Sequence, residues 1–181
     1  MKLFFKAMIL ILVVITSCKT DKKPEPYSEE ELNNEAIDLD TTDSRSEVKF
    51  SDIKDQEVYD LYLSIKKALV NSKSKEVQVV AKKIEIVLGD TEEDKQLKAT
   101  SKLISITKDI KKQRDFFVSL TNEVEKRINK SNIISGEIYK QFCPMAFGGE
   151  GGYWLSDSKE IRNPYFGNKM LVCGRVEKIV K

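Results

Sequence analysis

The chain has no histidine. No imidazole is therefore at hand to activate a serine or cysteine nucleophile, to move protons near neutral pH or to complete a zinc site. There is one tryptophan, with four prolines and three cysteines. The apolar run at residues 7–15 is roughly half the ~20 residues a bilayer-spanning helix needs. An excess of charge of one sign is also missing, with 31 basic against 29 acidic side chains. That balance offers nothing to a nucleic acid. Carboxylates are plentiful but form no recognisable acid/base pair. Gly148, Gly149, Gly151 and Gly152 are not a phosphate loop, because no Gly-Lys-Ser/Thr follows them. Catalysis is not expected.

What is present begins with an export signal. Lys2 and Lys6 precede the apolar run, and Ile15-Thr16-Ser17-Cys18 follows it. These four residues resemble a bacterial lipobox, which implies cleavage after Ser17 and acylation of Cys18. The plainer alternative is an ordinary signal peptide with a chance cysteine behind it. Several acyl chains on Cys18 would anchor the chain stably. The expected location is the bacterial cell envelope, at the outer membrane, on its periplasmic or surface face. Both leader lysines leave with the signal, so the mature protein is close to neutral.

Composition then divides the chain into four parts. Residues 1–17 are the leader. Residues 18–50 are read as the lipidated cysteine and a disordered acidic tether, with Pro24, Pro26 and Glu29-Glu30-Glu31 and few large apolar side chains. Residues 51–131 carry apolar side chains at helical spacing. Val58, Leu61, Tyr62, Ile65 and Leu69 form one stripe, and Val77, Val80, Ile84, Val87 and Leu88 a second. Thr91 caps a third helix, with Asp94 three residues on. That helix carries Leu97, Leu103, Ile106 and Ile110. Phe117, Leu120, Val124 and Ile128 make a fourth stripe, continuous with the third or broken near Lys111-Lys112. The expected fold is mainly α, a small antiparallel helical bundle with a C-terminal irregular, short-β tail bearing cysteine and methionine.

That tail is residues 132–181. Residues 138–142 alternate weakly, as a strand would, and residues 170–180 supply another strand bent at Gly174. The stretch between them is rich in turns and packs on the bundle through Phe142, Phe147, Trp154, Tyr165 and Phe166.

The tail also carries a resemblance. Cys-Pro-Met-Ala at 143–146, Tyr-Trp-Leu-Ser at 153–156, Ile-Arg-Asn-Pro-Tyr-Phe-Gly at 161–167 and Met-Leu-Val-Cys-Gly at 170–174 stand in order. Asp-Ile-Lys-Lys-Gln-Arg-Asp-Phe-Phe-Val-Ser-Leu-Thr at 109–121 lies upstream. The pattern resembles a family of uncharacterised extracytoplasmic bacterial domains. They occur in small lipoproteins and at the ends of periplasmic adaptor subunits of heavy-metal efflux pumps. The resemblance implies a link to copper or silver handling, with an efflux system or another envelope protein as partner. Many relatives carry histidines in the helical part, and this chain has none.

The residues allow two chemistries. Thiolate and thioether sulfurs are soft donors that select monovalent copper, and silver(I) behaves alike. Cys143 and Met145 are two apart and share one side of a strand. Met170 and Cys173 are three apart and share a face of a turn or helix. Brought together, the four would form a sulfur pocket for Cu(I) or Ag(I). Alternatively Cys143 and Cys173 form a disulfide, closing a loop and stabilising the tail by roughly 3–4 kcal/mol. Met145 and Met170 are then core fillers. Trp154 is a cation-facing indole or a hydrophobic anchor. Arg162 and Asn163, before Pro164 and Tyr165, read as a hydrogen-bonded lock that supports the site.

Overall fold

The computed structural model describes residues 37–180. The leader, Cys18 and the first part of the expected tether lie outside these residues. Among the described residues no helix is long and apolar enough to cross a membrane.

Four helices form the bundle: α1 (Ile53–Val70), α2 (Ser74–Val87), α3 (Glu92–Ile106) and α4 (Ile110–Ile128). Three begin at a side chain that satisfies an otherwise unpaired first-turn N–H. Asp52 accepts from the Asp55 N–H, Thr91 from the Asp94 N–H, and Asp109 from the N–H groups of Lys111 and Lys112. Short turns make consecutive helices neighbours, and α4 returns against α1. Val58, Tyr62, Ile65 and Leu69 of α1 meet Val77, Val80 and Ile84 of α2 and Phe117, Leu120, Val124 and Ile128 of α4 in one core.

For the helices one open alternative is decided, and two expectations change: Ile110, expected on the third helix, opens α4, and the buried face of α3 shifts. The third and fourth stripes belong to separate helices, and the break falls at residues 107–109, ahead of Lys111. Asp109 caps α4 there, so the fourth helix starts where its first N–H groups find a carboxylate. The buried face of α3 is also rotated from the expected one. Leu97 and Ile104 are buried, whereas Leu103 and Ile106 face solvent. Thr100 and Ser101 fill the buried face, because each hydroxyl donates back to the carbonyl four residues earlier. Satisfied in that way, a small polar side chain enters a core at little cost.

The helix ends are tied by charge. Arg127 near the end of α4 donates to Asp55 of α1 at 2.6 Å and to Asp94 of α3 at 2.7 Å. Lys54 reaches the second oxygen of Asp94 at 2.6 Å.

The last part of the segment expected as a tether is structured. Residues 37–50 are packed on the domain. Val48 and Phe50 join the core, and Asp40 is buried against Lys66 of α1. The buried ion pair and two core side chains supply the stabilisation that a merely acidic segment lacks. Strand β1 (Lys49–Phe50) pairs antiparallel with β2 (Ile133–Ser135).

Beyond the bundle, β3 (Ile138–Cys143) is the centre of an antiparallel sheet between β4 (Gly152–Ser156) and β5 (Arg175–Val180). The expected first strand is β3, and the strand expected over 170–180 is β5 but starts only at Arg175, after a turn at 167–172. Strand β4 falls inside the stretch read as turns, with Gln141 opposite Trp154 and Cys143 opposite Gly152. Tyr62 joins this sheet to the bundle. Its hydroxyl accepts from the Leu155 N–H at 2.9 Å and lies 2.9 Å from the Thr121 hydroxyl. An aromatic chain continues the junction: Tyr62 stacks on Phe117, which meets Tyr165, which meets Trp154 edge-on.

Candidate functional site: a buried pair of thiols

Cys143 ends β3 and is completely buried. Cys173 lies in the turn before β5 and is half-buried. Their sulfurs are 3.2 Å apart, although the two residues are thirty positions apart in the chain, and neither is in a disulfide.

Local hydrogen bonds hold the Cys173 side of this contact. The Cys173 N–H donates to the Met170 carbonyl, closing a tight turn. The Asn163 amide donates to the Cys173 carbonyl at 2.8 Å, while its oxygen accepts from the Tyr165 N–H. The Asn163 N–H in turn donates to the Leu171 carbonyl. Asn163 is thus a buried clamp on the 171–173 turn. Gly174 follows with φ of +149°, and a Cβ there would stand 2.9 Å from both the Phe142 carbonyl and the Trp154 ring. The chain passes this close only because position 174 has no side chain.

The thiols influence each other. The hydrogen bond with Cys143 raises the Cys173 pKa, and partial burial adds to it. Cys173 therefore resists becoming a thiolate until an electrophile, an oxidant or a metal ion displaces its proton.

The methionines do not close a pocket around the pair. Met145 is 56% exposed and Met170 is 40% exposed. The strand that would have aimed Cys143 and Met145 the same way stops at Cys143, where Pro144 turns the chain out of the sheet. The expected four-sulfur enclosure is therefore a two-thiol centre with thioethers at the surface. Among the described residues no group of three or more His, Cys, Asp or Glu side chains is placed to hold a metal ion. The donor set suits only an ion content with two thiolates.

Of the other expected site residues, Trp154 is fully buried beside Gly174 and serves as an anchor, its indole N–H without a partner among the described residues. Tyr165 donates to the Tyr153 carbonyl and packs on Trp154. Arg162 has a different task. It donates to the Thr41 carbonyl and to Glu160, fastening the 37–50 segment to the tail. Proximity in sequence to Asn163 suggested a shared role that the fold does not give it.

One cluster escaped the sequence reading. Lys66 pairs with Asp40 at 2.7 Å, and Arg45 links Asp40 to Asp157. A signal was available: Lys66 follows Tyr62 by four residues, on the apolar stripe of α1. Arg114 has the same signature, three residues before Phe117.

The family model described as "Protein of unknown function (DUF3347)" matches residues 58–136. Neither the curated proteins nor the solved structures returned a match. The matched region runs from within α1 through α4 and β2 and ends before Cys143, so the likeness to this uncharacterised family lies in the helical bundle.

Proposed function

We propose that this is a lipid-anchored envelope protein whose working element is the Cys143–Cys173 dithiol. The reduced pair takes a monovalent soft ion, Cu(I) or Ag(I), as cargo for buffering or for an efflux system. The observation that carries this reading is the 3.2 Å approach of two thiols in a chain without histidine. Two thiolates more than offset the charge of a monovalent cation, leaving one net negative charge, and the exposed thioethers of Met145 and Met170 offer neutral soft donors to an arriving or leaving ion. With a metal–thiolate bond of roughly 2.3 Å, as for zinc, a linear site needs the sulfurs about 4.6 Å apart. The pair must open to accept the ion. Cys173 is the side to move, because it sits in a half-buried turn while Cys143 is held in the central strand. No side chain is assigned a catalytic role, and the expected partner is an envelope protein, not a nucleic acid.

A second reading is favoured by a different observation. Cys143 belongs to the core, where a permanent disulfide suits better than an ion's entry. The protein is then a disulfide-stapled interaction domain with no metal role.

Two measurements decide between them. Intact mass with thiol labelling, on protein taken from the envelope, reports whether the cysteines are free, paired or metal-protected. Anaerobic titration of reduced protein against a competing Cu(I) chelator follows. Either Cys→Ser variant should lose far more affinity than Met145→Leu or Met170→Leu. Wild-type affinity equal to that of the Cys143→Ser/Cys173→Ser variant would leave the stapled domain.

A further inference from the structure

A pocket of about 300 Å³ opens between the start of α4 and the tail. Ala146, Phe147, Tyr165 and Phe166 give it apolar walls, and Lys111, Arg114 and Lys169 border it with three cations against the single carboxylate of Asp115. Its size lies at the small end of sites that hold organic ligands.

Arg114 is the unusual member. Its Nε donates to the Pro164 carbonyl at 2.8 Å, and one terminal nitrogen donates to the Leu69 carbonyl and the Ser72 hydroxyl, each at 3.0 Å. Every one of these acceptors is neutral. Among the described residues no carboxylate pairs with it, and burial lowers its pKa with nothing to offset the effect. A half-buried guanidinium normally has an anion beside it.

The apolar wall is also built at a cost. Phe147 has φ of 52° and ψ of 47°, the left-handed region that a bulky residue rarely enters. That backbone sets its ring edge-on to Tyr165, with centroids 5.1 Å apart. Gly148 and Gly149 follow with open space around them, and the Gly151 N–H donates to the Ala146 carbonyl at 2.9 Å, closing the loop around Phe147.

We infer that this pocket binds a small organic anion: a carboxylate on a short alkyl body. The carboxylate pairs with Arg114, aided by Lys111 and Lys169, and the body lies against Phe147, Tyr165 and Phe166. No cysteine or methionine lines the pocket, so the inference stands or falls independently of the metal reading.

The test is titration of the full, metal-free protein with octanoate, followed by calorimetry and by Trp154 fluorescence, since Trp154 touches Tyr165. Octanol and octylammonium are the neutral and cationic controls. Saturable octanoate binding is expected, weakened by salt and about tenfold or more tighter than either control. Arg114→Gln should abolish it. Because Arg114 also braces the Leu69 and Pro164 carbonyls, the variant Lys111→Gln/Lys169→Gln serves as a second probe on surface positions. It should keep the wild-type melting temperature and lose affinity severalfold. No saturable binding at millimolar octanoate, equal binding of octylammonium, or unchanged affinity in the lysine double variant would each overturn the assignment.

Discussion

The Lys66 ammonium lies 2.7 Å from the Asp40 carboxylate, and the two side chains are 1% and 2% exposed. This sealed pair binds α1 to a segment that composition alone assigns to a tether. Breaking a buried pair from one side strands a charge and costs about 3–5 kcal/mol. Asp40→Asn should therefore lower unfolding stability by that order in urea titrations. Lys66→Met should cost less, because Asp40 keeps Arg45 as a partner. A loss under about 1 kcal/mol in Asp40→Asn would mean that the segment is not held through this contact.

Asp94 gives the bundle a defined acid limb. Burial disfavours its charge, but hydrogen bonds from Lys54, the Gly89 N–H and Arg127 outweigh that and hold its pKa at about 2, against 3.8 ordinarily. A carboxyl lowered in the folded state stabilises fully above its unfolded pKa and loses that contribution as pH falls through the folded value. The window is thus about pH 4 to 2, worth about 2 kcal/mol. Asp94→Asn should be less stable than wild type at pH 6, and the gap should narrow on acidification. A gap constant between pH 6 and 2 would contradict the assignment.

The thiols should differ in reactivity. Cys173 is half-buried and Cys143 is sealed, so iodoacetamide should modify Cys173 first in reduced protein. Because the Cys143 hydrogen bond raises the Cys173 pKa, alkylation near pH 7 should be slower than that of a free cysteine and should accelerate with pH. Cys143→Ala removes the cause and should speed labelling of Cys173 at neutral pH. Peptide mass mapping over time reads both the order and the rates.

Tyr62→Phe should weaken the joint between bundle and sheet. The substitution leaves the Leu155 N–H and the Thr121 hydroxyl without their common partner inside the core. A cost of about 1–3 kcal/mol is expected. Hydrogen exchange should rise at Leu155 before it rises in the middle of α2.

Much of the bundle was legible because its information is local. A stripe recurring every three or four residues states a helix and its buried face, and Thr91 with Asp94 three residues on states where one begins. The start of β3 and the end of β5 were legible for the same reason, whereas the end of β3 and the start of β5 were not. The limits were local too: α3 turned by one position because Thr100 and Ser101 can satisfy their own hydroxyls, which apolar counting does not register.

The remaining features join residues far apart in the chain. Asp40 meets Lys66, Tyr62 meets Leu155, and Arg114 reaches the Pro164 carbonyl only once the helices have packed and the tail has closed on them. The sequence by itself determined the kinds of sulfur available and the absence of imidazole. Only the tertiary structure decided that the two thiols meet while the two thioethers stay outside. The physical reason is that a side chain's identity sets what it can bind, whereas the set of partners within bonding distance depends on strand ends, turns and packing that no single stretch of the chain contains.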